Sequence, residues 1–366
     1  MKFNPPNNDE LEITIFGSGY GESILVHLTN GKWLIVDSCI SRDVEFPCPI
    51  EYLKRIGVDV GESVAMVVAT HWHDDHIKGM SKIFEDCPKA KPVFSAAFND
   101  TKFMKLVMDS ALSRLSSINP STGISEISKS WNLLWKRNNK IIFALSDKLL
   151  MDNDFQIYSL SPSDEIFEKA ILSILSQLPT QNTLVKRINP PRSNHASVVL
   201  WLKNNLERVL LGSDLEEASD YKGWSVLIDG IKSTIVDKKA SIYKVAHHGS
   251  RTGHHDEIWT KLLEKNPICL IAPFNKNPKL PSEEDLTRIS KNSDLVFLSS
   301  STEESEKATR IQDKHVKRTL QKRNATHVDS KFSFVRHRKK PDESWGYDLF
   351  GDSTKFNHNW IIKYGM

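Results

Sequence analysis

The sequence predicts an α/β fold: strands and helices intermixed in one large domain, with a helical insertion at about 99–190 and a C-terminal appendage from 301 to 366. Three observations predict it. Short apolar or alternating runs of strand length recur between residues 11 and 298. Stretches with apolar residues three and four apart lie between several of them. No internal repeat or low-complexity segment disturbs that order.

From the start of the chain, Leu11–Phe16 alternates and is rich in β-branched residues, so it reads as a strand. The turn Gly17-Ser18-Gly19-Tyr20-Gly21 follows. Residues 23–28 and 32–36 form a hairpin across Thr29-Asn30-Gly31, whose Asn-Gly pair is a strong turn signal. A short helix is expected at 50–56. Val64–Ala69 is a continuous apolar run, the pattern of a strand buried on both faces. It leads into Thr70-His71-Trp72-His73-Asp74-Asp75-His76, after which 77–84 has helical character.

The stretch 99–140 is polar-helical, broken by a loop at 119–123, with Trp131 and Trp135 on one helical face. Strands are expected at 141–145 and 155–160, and a helix at 164–178. Further strands follow at 197–202, Arg208–Leu211, 241–246, 268–273 and 295–298. A charged helix at 302–323 carries Lys307, Arg310, Lys314, Lys317 and Arg318 along one stripe. The tail joins Arg336-His337-Arg338-Lys339-Lys340 to several aromatic residues.

Composition narrows the class. The chain has 366 residues, 39% hydrophobic and 26% charged, enough to bury a core without disulfides. A net charge of +3 is too mild by itself to argue for nucleic acid or a membrane surface. Cys39, Cys48, Cys87 and Cys269 form no C-x-x-C pair and read as reduced thiols. The first residues have no secretory signal pattern, and the apolar runs are far short of a membrane span. The expectation is a cytoplasmic protein with no membrane partner.

The chemistry concentrates in His71-x-His73-x-Asp75-His76. Two imidazoles two residues apart on an extended loop can face one ion, and the adjacent Asp-His pair can supply a second. Such a mixed set can hold two ions roughly 3.5–4 Å apart. Asp74 reads as a bystander pointing outward. Asp37, Asp214 and the pair His247-His248 each follow an apolar strand, where a rigid element can fix a ligand beside an open loop.

The order Asp37, His71-x-His73-x-Asp75-His76, His195, Asp214, His247 resembles the motifs of the metallo-β-lactamase superfamily. Three segments are similar to the ComEC-type hydrolase domain of DNA uptake and its soluble relatives: Gly19-Tyr20-Gly21-Glu22-Ser23, Asn194-His195-Ala196-Ser197-Val198-Val199-Leu200 and Lys244-Val245-Ala246-His247-His248-Gly249-Ser250. The match covers about residues 11–98 and 190–300. Leu280 stands about where that group often has a histidine.

The resemblance implies an αββα sandwich with a domain of residues 1–300. It implies His71, His73 and His195 on a first metal, Asp75, His76 and His247 on a second, and Asp214 bridging both. Asp37 would orient a ligand or the metal-bound water, and His248, Lys244 or Ser250 would contact substrate. The cofactors expected are two divalent ions, zinc first and manganese or iron as others.

Two such ions bring a bound water near pKa 7 and so generate hydroxide. The leading expectation is a phosphodiesterase or nuclease acting on a nucleic acid or nucleotide. The basic stripe and the aromatic tail suit a single strand, although charge runs more often mean solvation. The alternatives are a lactone, thioester or amide hydrolase, a cyclic-nucleotide phosphodiesterase, and a non-catalytic metal-binding partner protein.

Overall fold

Three apolar layers separate the secondary structure of the computed structural model, which describes residues 3–99, 122–163, 193–217, 223–302 and 331–356. The first sheet contains β1 (Leu11–Phe16), β2 (Ser23–His27), β3 (Trp33–Val36), β4 (Val64–Ala69), β5 (Lys91–Ser95) and β6 (Ile142–Ala144). The second contains β7 (Lys148–Asp152), β8 (Gln156–Ser159), β9 (Leu200–Lys203), β10 (Arg208–Leu211), β11 (Ala240–Lys244), β12 (Leu263–Ile271) and β13 (Val296–Leu298). The C-terminal residues add β14 (Phe334–Lys339) and β15 (Gly346–Phe350) to the first sheet and β16 (Thr354–Phe356) to the second.

The orders are β15-β14-β1-β2-β3-β4-β5-β6 and β16-β13-β12-β11-β10-β9-β8-β7. Both sheets are mixed: β3 to β6 run parallel, as do β10 to β13, and the flanking pairs are antiparallel.

Alternation along each strand explains the layers. Leu11, Ile13 and Ile15 face inward and meet Leu200, Leu202, Val209 and Leu270 of the other sheet. Phe16, Trp33, Ile35 and Val67 face outward, under the helices Cys48–Arg55, Met80–Asp86 and Thr122–Lys136. On the far side, Trp201, Leu210, Tyr243 and Ile271 lie beneath Trp224–Gly230 and Glu283–Ser290. The sandwich is therefore αββα, as the resemblance implies. Burying such side chains contributes about 1.5–3 kcal/mol each.

Local chemistry sets the helix ends. Pro49 and Glu51 begin the first helix, and Lys54 and Arg55 close it against the dipole. Ser282 and Asp285 form a capping box at the last one. Helical character from 77 to 84 is split, because Gly79 takes φ 87° between Asp74–Ile77 and Met80–Asp86. Trp131 is buried beneath its helix, while Trp135 is exposed.

Residues expected within an insertion instead supply β6 to one sheet and β7 and β8 to the other, and both sheets draw strands from beyond residue 300. The expected helix at 164–178, and all but the first residue of the one at 302–323 with its basic stripe, lie outside the described residues. The basic run of the tail is not an exposed platform: it forms β14, between β1 and β15. Arg336 pairs with Asp348, Arg338 with buried Glu12, and Lys339 with Glu207. Among the described residues no helix is long and apolar enough to cross a membrane.

Candidate metal centre

The parallel strands of both sheets release their side chains at one edge, the place where open α/β sheets gather ligands. Asp37 follows β3, the histidine loop follows β4, Asp214 follows β10, and His247 and His248 follow β11. Positive φ marks these exits: Asp37 60°, Ser213 46°, His247 47° and His248 52°. Non-glycine residues held there cost about 1–3 kcal/mol each, and such strain clusters at functional positions.

The turn 17–21 seals this edge. A Cβ on Gly17 would lie 2.5 Å from Ser299 Oγ and 2.8 Å from Ala272 Cβ. Gly21 combines φ +102° with a Cβ position 2.9 Å from Cys39 Cβ. Only glycine accepts both conditions. The turn then docks through the Glu22 N–H, which donates to the Asp75 carbonyl at 2.8 Å.

Four side chains converge, with donor atoms all within 4.8 Å of one another: Asp75, His76, Asp214 and His248. Asp214 Oδ2 is central, 3.3 Å from His76 Nε2, 3.5 Å from His248 Nε2 and 3.9 Å from His71 Nε2. Asp75 Oδ2 lies 3.2 Å from His248 Nε2 and 3.8 Å from His76 Nε2. All are buried, and Asp75 is the most open of them at 8% exposure.

A second group, Asp37, His71 and His76, lies behind the first. Asp37 accepts from the Thr70 N–H at 2.8 Å and the Thr70 hydroxyl at 2.6 Å, and holds His76 Nδ1 at 2.8 Å. Thr70 Oγ1 is also 3.0 Å from His71 Nδ1. These contacts occupy the rear nitrogens and turn both Nε2 atoms toward Asp214. Orientation of this kind fixes tautomer and ring plane. The Ala272 carbonyl holds His248 Nδ1 in the same manner, at 2.8 Å.

The geometry exchanges the two histidines after β11. His248, expected at the substrate, stands in the four-donor group. His247, expected as the ligand, turns away: its Nδ1 lies 2.9 Å from Glu216 and 2.8 Å from Thr252, and its Nε2 is 3.3 Å from Asn194 Nδ2. Successive left-handed backbone sends the two rings in different directions, and Glu216 draws one of them aside.

His73 lies beside His71, ring centroids 4.9 Å apart, and is in neither group. His195 is in neither group as well; it lines a cavity with Ser161, Pro162, Leu215 and Leu227. Asp74 is in neither group, and its Oδ1 accepts from the Gly123 N–H at 2.7 Å and pins the helix Thr122–Lys136.

Lys244, expected at the substrate, is fully buried behind Asp214. Its ammonium lies 2.6 Å from Glu22, 3.6 Å from Asp214 Oδ1 and 2.7 Å from the Ser213 carbonyl. Glu22 and Lys244 stand in two separate motifs of the sequence, and their pairing is not evident from spacing. Complementary charges in two separate motifs were the available signal.

Electrostatics follow from this burial. Desolvation and the neighbouring His76 and His73 push His71 well below the ordinary histidine value. Desolvation lowers His76 as well, but the carboxylates of Asp214 and Asp75 outweigh it and raise it well above that value. His248 is raised in the same way. Burial alone would raise Asp75 and Asp214, yet His76 and His248 hold both below the usual carboxylate range. Burial raises Glu22 despite Lys244.

The donor set fits a divalent cation. Nε2 of His71 and Nε2 of His76 are buried and make no hydrogen bond. Unpartnered buried polar atoms are costly, and imidazole with carboxylate is a set that zinc, manganese and iron accept.

No protein-family model and no curated protein matches this chain. Among solved structures it is similar to the metallo-beta-lactamase fold protein YhfI from Bacillus subtilis, with 14% identity over 64% of this chain and 70% of that one, TM-score 0.31. It is also similar to metallo-beta-lactamase SMB-1 bound to 2-mercaptoethanesulfonate, with 12% identity over 71% and 88%, TM-score 0.33. A Cronobacter sakazakii metallo-beta-lactamase matches with 10% identity over 68% and 80%, TM-score 0.35. At such identities and scores, the fold assignment rests on the two sheets and three apolar layers described above.

Proposed function

We propose that this chain is a metal-dependent hydrolase of the metallo-β-lactamase type, and that it cleaves phosphodiesters of a nucleotide or nucleic acid. The observation that carries the reading is the buried four-donor group Asp75, His76, Asp214 and His248, gathered from strand ends of both sheets. These four would hold one divalent ion, with zinc the first candidate. His71 and His73, with Asp214 shared, are the residues for a second. Bound divalent ions lower the pKa of water toward neutrality and polarise a phosphoryl or carbonyl oxygen.

The protein's own part is orientation and exclusion. Asp37 sets the His76 ring, Thr70 the His71 ring, and the Ala272 carbonyl the His248 ring. Lys244 offsets part of the carboxylate charge and, with Glu22, keeps Asp214 from turning. The turn 17–21 closes one wall. Asp75, the most open of the four, is the carboxylate we assign to the side facing an attacking water.

Phosphodiester is preferred to carbonyl on the resemblance of segments 19–23, 194–200 and 244–250 to the ComEC-type domain. The test is metal analysis of the purified protein with a screen on bis-p-nitrophenyl phosphate, single-stranded DNA, RNA, cyclic nucleotides and a lactone. Turnover of a phosphodiester that is lost in Asp75→Ala and in His71→Ala supports the reading. Turnover confined to the lactone, or wild-type turnover by either variant, overturns it.

A further inference from the structure

The turn after β1 and the segment after β12 are tied into one rim beside the metal centre. The Asn275 N–H donates to the Gly19 carbonyl at 2.6 Å, and Asn275 Nδ2 donates to the Ser301 carbonyl at 2.8 Å. The Phe274 ring centroid lies 5.3 Å from that of His248, with 32° between the planes. The Tyr20 ring follows, 5.6 Å from Phe274 at 51°. Lys276 Nζ sits 3.2 Å from the Tyr20 ring centroid.

This cation is not spent on a carboxylate. Lys276 is exposed and makes no ion pair among the described residues. Partial burial lowers its ammonium below the usual lysine value, against the pull of the Asp75 and Asp74 carboxylates. A cation–π contact at an exposed position is weak and leaves N–H groups turned to solvent, free for an anion. Both aromatic rings are only half-buried.

We propose that Tyr20, Phe274 and Lys276 form a subsite for a nucleotide next to the bond that is cleaved, the rings taking its base and the ammonium its phosphate. The proposal rests on the phosphodiesterase reading above and deepens it. A nucleotide is the class that presents a π-face and an anion together, and stacking on aromatic side chains accepts any base. A small neutral lactone or thioester has no use for the cation.

The test is calorimetric titration of the metal-loaded protein with a 5′-phosphorylated, phosphorothioate-linked dithymidine nucleotide, which resists cleavage. Lys276→Ala is expected to weaken binding about tenfold and to flatten its salt dependence. Tyr20→Leu is expected to weaken it about tenfold with the salt slope unchanged, and Tyr20→Phe to stay near wild type. Affinities within twofold of wild type for both Lys276→Ala and Tyr20→Leu overturn the subsite.

Hydrolysis of methyl p-nitrophenyl phosphate, measured in parallel, separates the two claims. Turnover of that ester with insensitive nucleotide binding removes the subsite and leaves the hydrolase. Nucleotide binding through these residues without turnover of any phosphodiester removes the hydrolase reading and leaves a nucleotide site.

Discussion

Asp37 holds His76 by Nδ1 at 2.8 Å, and does so from a left-handed backbone position at φ 60°. The contact leaves His76 Nε2 facing Asp214 at 3.3 Å. One carboxylate thus aims an imidazole of the four-donor centre without itself belonging to that centre.

Asp37→Asn should therefore weaken metal binding while leaving all four converging donors in the chain. Loss of such an orienting partner typically costs about 10–100-fold in affinity. Competition against a chelator of known strength would measure it. Affinity within threefold of wild type would mean that Asp37 serves only to bind Thr70.

The exchanged histidines give a sharper comparison. His248→Ala should empty the four-donor group and abolish turnover, with metal content falling in elemental analysis. His247→Ala should keep its metal, because that ring is held by Glu216 and Thr252. Equal metal loss in the two variants would contradict the geometry.

Lys244 and Glu22 make a buried ion pair whose halves depend on each other. Lys244→Met leaves Glu22 and Asp214 without their cation, and should destabilise by about 3–5 kcal/mol in urea unfolding. The double variant Glu22→Gln/Lys244→Met should recover part of that loss. A double variant as unstable as the sum of the singles would show no coupling.

His337 sets an acid limb of stability away from the centre. Burial among Phe297 and Tyr347 pushes it down to about 3, from an unfolded value near 6.5. Between those values the unfolded chain binds a proton that the folded one refuses, so stability falls as pH falls. From pH 6.5 to 5 the loss is about 1.6 kcal/mol. His337→Leu should lose less stability than wild type over that interval, read as the difference in unfolding free energy. An identical decline would assign the acid sensitivity to other groups.

The histidine loop was legible because β4 is apolar throughout and the residues after it are not. Asp37 and Asp214 were legible on the same ground, as polar residues ending apolar strands. Choosing between His247 and His248 was not, since it depends on consecutive positive φ values and on Glu216, which spacing does not reveal. The β14 strand was hidden by its own composition: Arg336 and Arg338 look solvated until Asp348 and Glu12 are found opposite them. Tyr20 and Lys276 lie far apart in the chain, and the Asn275–Gly19 hydrogen bond and the Tyr20–Phe274 ring contact bring them together.

The pairing of β14 with β1 has a consequence for biosynthesis. A ribosome must deliver residue 334 before β1 gains its second neighbour, so that flank of β1 stays open while the residues between the two strands are made. Unpaired strand edges recruit other chains. A nascent copy halted short of this point would carry a sticky, half-built sheet, which makes truncations before residue 334 candidates for aggregation and chaperone capture.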